Sequence, residues 1–142
     1  MAYVGLLEDN ARIARLCATM LHYIGHQVTI YAHPRECLQA LLPPQRKKDT
    51  IQSQQEQDAT TTALPVEVLI LDLHLPDIDA LEVLRHLQSH PQTRSLPLIF
   101  CTAASSAEVA RALSIAPQAS LVVKPFKLQT LTAAITSVLT HA

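Results

Sequence analysis

Val66-Glu67-Val68-Leu69-Ile70-Leu71 is a short run dominated by aliphatic side chains, and it ends on Asp72. An apolar run of this length without alternation suits a central parallel strand covered on both faces. Ligands of open α/β sheets bind just beyond the carboxyl ends of such strands. A carboxylate at that place is held rigidly yet faces solvent, which suits chemistry better than packing. Two other strand-like runs end on polar groups of complementary type: Tyr3–Leu7 on Glu8-Asp9, and Leu121–Val123 on Lys124.

Outward from this strand the hydrophobic period alternates between strand and helix. After Tyr3–Leu7, Asn10 is placed to cap a helix in which Ile13, Leu16, Cys17, Met20, Leu21 and Ile24 recur at spacings of three and four. Gly25 follows as its C-terminal cap. Val28–Ala32 predicts a second strand, and Pro34 opens a helix with Cys37, Leu38, Leu41 and Leu42 on its apolar face. Beyond the 66–71 strand, Ala80–Leu87 reads as a helix with Leu81, Leu84 and Leu87 inward, stopped by His90-Pro91. Leu96–Cys101 is a fourth strand, Ser105/Ser106 cap a helix with Val109, Ala112 and Leu113, and Leu121–Val123 is a fifth strand. Leu128, Leu131, Ile135, Val138 and Leu139 then mark a closing amphipathic helix. Five β–α repeats predict an α/β fold with a doubly wound, five-stranded parallel sheet and helices on both faces. One domain is expected over 1–142, with a flexible insertion at 43–65 between the second helix and the third strand. There Gln, Thr, Ser, Lys and Asp replace the hydrophobic residues over roughly 20 positions without periodicity. Arg46-Lys47-Lys48 within it is a docking patch or, more plainly, part of a solvated loop.

Composition narrows the function. A net charge of -1 gives no electrostatic case for nucleic acid or an anionic membrane as partner. With just Gly5 and Gly25 in the chain, neither the dinucleotide fingerprint nor the P-loop can be built. Cys17, Cys37 and Cys101 are odd in number and lie in apolar stretches, so they are expected as buried reduced thiols. Apolar runs fall far short of the roughly 18 residues a membrane span needs. Met1 leads into a strand-like segment with no basic leader, and the expected location is cytoplasmic.

In a doubly wound sheet the carboxyl ends of the first, third and fifth strands converge, bringing Glu8, Asp9, Asp72 and Lys124 into one pocket. Three carboxylates repel one another, and a hard divalent cation relieves that repulsion. Mg²⁺ prefers oxygen ligands, keeps several waters and takes one or two carboxylates directly. Lys124 offsets remaining charge and can pair with a phosphoryl oxygen, while Thr102 offers a hydroxyl at the end of the fourth strand.

Leu7-Glu8-Asp9-Asn10, the stretch from Leu71-Asp72-Leu73-His74 through Ala80, Cys101-Thr102-Ala103 and Val123-Lys124-Pro125-Phe126 together resemble the receiver domain of bacterial two-component response regulators. The resemblance covers nearly the whole chain apart from 43–65. It implies a flavodoxin-like sheet of strand order 2-1-3-4-5. It also implies that Asp72 accepts a phosphoryl group from a histidine kinase or a histidine phosphotransfer protein, with Mg²⁺ (or Mn²⁺) as cofactor. By the same resemblance Asp9 is a direct metal ligand, Glu8 holds metal-bound water, and the backbone carbonyl of His74 completes the protein ligands beside Asp72. Thr102 would bond the new phosphoryl oxygen and move toward it. Such a module performs one transfer and slow self-hydrolysis rather than turnover of a metabolite. Output would pass to a separate protein or a fused output domain, and the helix between Ser105 and Ala116 with its flanking strands is the surface where a homodimer would form.

The chain departs from the family pattern at several places. Leu121 stands three before the lysine, where an aromatic residue is usual, and Ala80 replaces a usual glycine. Ala116-Pro117-Gln118-Ala119-Ser120 takes the place of a Gly-Ala-Asp-like turn. Asp77 and Asp79 read as turn and helix-start residues, and His22 and His26 as surface residues despite their i,i+4 spacing. The altered position 121 supports one rival, a receiver-like interaction module that works without phosphorylation. A phosphatase of the haloacid dehalogenase type also uses a strand-end Asp but wants a second acid two residues on, where this chain has His74.

Overall fold

The computed structural model describes residues 2–42, 64–73, 80–103, 105–124 and 127–140. In chain order these form β1 (Tyr3–Leu7), α1 (Ala11–Tyr23), β2 (Gln27–Tyr31), α2 (Pro34–Leu41), β3 (Val68–Leu71), α3 (Ala80–Ser89), a one-turn α4 (Pro91–Arg94), β4 (Leu98–Thr102), α5 (Ser106–Ile115), β5 (Ser120–Val123) and α6 (Leu128–Thr140). The strands make one five-stranded sheet in the order β2-β1-β3-β4-β5. Every neighbouring pair is parallel. The expected doubly wound, flavodoxin-like architecture is therefore the observed one.

Each face of the sheet carries its own core. Leu7, Leu71 and Phe100 pack with Cys37 and Leu41 of α2, Val83, Leu84 and Leu87 of α3, and Ala112 of α5. On the opposite face Leu6, Ile70, Ile99 and Val122 pack with Ala14, Cys17 and Leu21 of α1 and Leu131 and Ile135 of α6. All residues of β3 and β4 are buried, which explains why neither strand alternates in sequence. Each fully buried aliphatic side chain contributes about 1.5–3 kcal/mol. Gly5 is required by close packing: a Cβ there would meet Tyr31, Val66 and Leu69 side chains at 3.1–3.2 Å.

The helix ends follow their local chemistry. The Asn10 side chain accepts from Arg12 N and Ile13 N. At the other end of α1, His26 N donates to Leu21 O and Gly25 N to His22 O, with Gly25 at φ 100°. These paired bonds close the last carbonyls in a Schellman motif. Pro91 does more than stop α3: it occupies the first turn of α4, where a missing N–H costs nothing.

Four strands differ in their bounds from the sequence expectation: the second runs Gln27–Tyr31 rather than Val28–Ala32, and the fifth begins at Ser120 rather than Leu121. The third strand begins at Val68 rather than Val66; just before it Glu67 N donates to Tyr3 O and Glu67 Oε1 accepts from Tyr3 N, both at 2.7 Å. The fourth begins at Leu98 rather than Leu96, after Pro97, and runs on through Thr102. The insertion expected at 43–65 lies outside the described residues except for Leu64 and Pro65. Among the described residues no helix is long and apolar enough to cross a membrane.

Candidate functional site

The strand order reverses between β1 and β3, and the register brings their carboxyl ends level, with Leu7 opposite Leu71. Glu8 and Asp72 are the next residues on each strand. Across the sheet Val123 lies opposite Thr102, so Lys124 emerges from β5 at the same rim. Backbone bonds to neighbouring strands hold all three: Glu8 N to Tyr31 O (3.2 Å), Asp72 N to Leu7 O (3.2 Å) and Lys124 N to Thr102 O (3.1 Å). Continuing the strand alternation, Glu8, Asp72 and Lys124 fall in phase with Leu6, Ile70 and Val122, on the face covered by α1 and α6.

Lys124 Nζ donates to Glu8 Oε1 at 2.7 Å and to Asp72 Oδ2 at 3.2 Å. Glu8 Oε2 also accepts from Asn10 N at 3.2 Å, so Asn10 both braces Glu8 and caps α1. Glu8 and Asp72 are buried, at 4% and 6% exposure, while Asp9 is exposed. Burial pushes the Glu8 carboxyl above its ordinary value, with the Asp72 charge adding to the rise and the Lys124 and Asn10 hydrogen bonds opposing it. For Lys124, burial pulls the other way but is outweighed by the bond to Glu8 and by both carboxylate charges, so its pKa is raised.

Carboxylate oxygens of Glu8, Asp9 and Asp72 lie within 4.8 Å of one another. An all-oxygen set with one solvated member fits a hard divalent cation such as Mg²⁺ or Mn²⁺. The three cysteines are free and buried. Burial pushes the thiols of Cys17 to about 11 and of Cys37 and Cys101 to about 12, so they stay protonated.

An open cleft of about 570 Å³ is lined by these acids and Lys124 together with Asn10, Ile13, Ala103, Ser105 and Glu108. Glu8, Asp9, Asp72 and Lys124 are thus brought together as the sequence led us to expect. Thr102 is 2% exposed at the end of β4 and is not among the residues that line the cleft. His74, Asp77, Asp79, Pro125 and Phe126 lie outside the described residues. His22 and His26 form no pair directed at a ligand; His26 Nδ1 instead accepts from Ala2 N at 3.0 Å.

Ser105 and Glu108 were not expected at the site beyond a capping role for Ser105. They form a full capping box at the start of α5. The signal was present as Ser105-Ser106-Ala107-Glu108 just beyond a strand end.

The response regulator receiver domain model matches residues 4–136. The chain belongs to that family. Among solved structures it is similar to chemotaxis protein CheY4 of Vibrio cholerae, with 23% identity, a TM-score of 0.73, and coverage of 98% of this chain and 99% of that one. The receiver domain of a signal transduction histidine kinase from Syntrophus aciditrophicus has 21% identity and a TM-score of 0.73, covering 100% and 92%. The receiver domain of a modulated diguanylate cyclase from Desulfovibrio desulfuricans has 19% identity and a TM-score of 0.72, covering 99% and 95%. At these identities the likeness is one of fold. A search of curated proteins found no match. As a receiver domain of two-component signalling, the chain carries at the reversal point of its sheet an acidic cluster able to hold a metal.

Proposed function

We propose that this receiver domain takes a phosphoryl group onto Asp72 from a histidine kinase or a histidine phosphotransfer protein, and so switches a partner or output surface. The reading rests on one observation: a nearly buried carboxylate at a parallel-strand end, 3.2 Å from the ammonium of Lys124 and beside two further acids. An Asp72 carboxylate oxygen attacks phosphorus. The new O–P bond forms as the P–N bond to histidine breaks, and the electron pair leaves on the imidazole nitrogen. Lys124 is placed to offset charge on the transferred group. Glu8, Asp9 and Asp72 would hold Mg²⁺ (or Mn²⁺), with the His74 carbonyl joining them by family resemblance, and the ion would neutralise charge spread over the phosphoryl oxygens. Thr102, buried at the end of β4, would bond a phosphoryl oxygen by moving its hydroxyl toward it, as the family resemblance implies.

The transfer is a single event, ended by slow hydrolysis, rather than turnover of a metabolite. Three free cysteines with raised pKa values support operation in a reducing, cytoplasmic setting. A protein donor is supported by α1, where Ile13 lines the cleft and an apolar strip continues through Leu16, 57% exposed, to Tyr23, 85% exposed. A phosphorylation-independent interaction module is the second reading. It is favoured by Leu121, which leaves β5 with exposed aliphatic residues at 121 and 123 and no aromatic switch.

The test is incubation with Mg²⁺ and phosphoramidate, followed by intact mass measurement of the wild type and Asp72→Asn. One base-labile phosphate on the wild type and none on the variant is expected. No uptake by the wild type sinks the acceptor reading in favour of the interaction module, and equal uptake by both proteins moves the acceptor elsewhere.

A further inference from the structure

Glu108 is a fourth carboxylate on the wall of the acidic cleft, and nothing in the proposed transfer uses it. Its Oε1 accepts from Ser105 N at 3.0 Å and lies 3.4 Å from Ser105 Oγ, while Glu108 N donates to Ser105 Oγ at 3.2 Å. These bonds fix the carboxylate at the start of α5, so it cannot swing away from an approaching anion without opening the cap. On its other side Glu108 also lines a smaller cleft of about 240 Å³, with Leu73, Leu81 and Arg111. Arg111 is the cationic residue that shares this smaller cleft with Glu108. Among the described residues, the main cleft is lined by the carboxylates of Glu8, Asp9, Asp72 and Glu108 and by the ammonium of Lys124.

We infer that Glu108 is a specificity-determining residue for the phosphodonor: its fixed charge at the cleft wall disfavours small, doubly negative donors relative to singly negative or protein-borne ones. This rests on the acceptor reading above. A small dianion must bring both charges past the Glu108 carboxylate, and Lys124 on the same wall offsets them in part. A phosphohistidine on a protein brings apolar surface that can rest on Ile13 and Leu16. Across an open, hydrated cleft the Glu108 charge acts through water and protein together, so the discrimination due to Glu108 alone is expected at about two- to fivefold.

The experiment compares acetyl phosphate, a dianion near neutral pH, with phosphoramidate, a singly negative zwitterion. Asp72 is the attacking group with both. The bond broken is P–O in the first, with the electron pair leaving on acetate, and P–N in the second, with the pair leaving on ammonia. Initial rates of phosphate uptake are measured with Mg²⁺ for wild type, Glu108→Gln and Glu82→Gln. Glutamine keeps the capping bond to Ser105. Glu82 is an exposed acid on α3, paired with Arg85 at 3.1 Å, and controls for net charge.

Glu108→Gln should accelerate uptake from acetyl phosphate about two- to fivefold and leave phosphoramidate nearly unchanged. Raising salt from about 0.05 M to about 0.5 M should remove most of that gain. Equal acceleration with both donors, or the same gain in Glu82→Gln, overturns the inference while leaving the acceptor reading intact. Wild type that takes phosphate from neither donor overturns the acceptor reading, and the role of Glu108 falls with it.

Discussion

At the amino end of β1, two polar side chains each close one backbone group: Glu67 Oε1 accepts from Tyr3 N at 2.7 Å, and His26 Nδ1 from Ala2 N at 3.0 Å. At the carboxyl end Glu8 N and Asp72 N donate to neighbouring strands, and one backbone group, Asn10 N, is closed by a side chain, Glu8 Oε2. There Glu8 and Asp72 turn their carboxylates onto one shared ammonium, with Asp9 beside them. Polar residues at the first end complete the sheet. At the second they concentrate charge that folding does not require, which is the mark of a functional site.

Removing the shared cation should break this contrast most severely. Lys124→Met leaves two buried carboxylates without their counter-charge and should cost about 3 kcal/mol in urea unfolding at neutral pH. Added Mg²⁺ should restore more stability to this variant than it adds to the wild type. At the amino end Glu67→Gln keeps an acceptor for Tyr3 N and should cost less than about 1 kcal/mol. Equal costs for the two variants would erase the distinction between the ends.

Midway along the same strand neither kind of polar chemistry operates, and size alone decides. Gly5→Ala drives a methyl against Tyr31, Val66 and Leu69 and should cost about 1–3 kcal/mol by overpacking. That cost should not vary between pH 5 and 8, and the folded variant should still take up phosphate at the wild-type rate. A pH-dependent cost would mean that the strand ends are coupled through its centre.

Most of the architecture was legible because periodicity and strand-end chemistry agreed. The unalternating 66–71 and 96–101 runs belong to the two strands buried on both faces, and the terminal residues Glu8, Asp72 and Lys124 meet because parallel register leaves no other arrangement. What escaped the sequence depends on side-chain direction. Thr102 ends β4 as expected but is 2% exposed and does not line the cleft, and burial at a strand end follows only from how the neighbouring elements cover it. Ser105 and Glu108 carried a recognisable capping pattern, yet their place on the cleft wall depends on how α5 leaves β4. Glu67 looked like a strand residue because its neighbours are apolar. Its backbone N bonds to Tyr3 O as a strand residue's would, but its carboxylate also takes Tyr3 N, and the strand itself begins at Val68.

The finest separation between the two ends is in their response to acid. In metal-free buffer Glu8 has a pKa raised by burial above the ordinary 4.5, so the folded protein holds this proton more tightly than the unfolded chain. Its contribution to stability is therefore fully present below pH 4.5 and is lost as pH rises through the folded value. His26 runs the other way: burial lowers it below the ordinary 6.5, partly opposed by the Glu67 charge, and its contribution is present above pH 6.5 and lost as pH falls. Lys124 titrates well above this window and stays charged throughout. As pH falls from 7 toward 4.5, unfolding free energies should move in favour of wild type relative to Glu8→Gln. They should move against wild type relative to His26→Gln. Both differences moving in one direction would show that the ends of β1 share an electrostatic environment, and Glu8 would then owe its raised pKa to the whole sheet rather than to the cleft in which it sits.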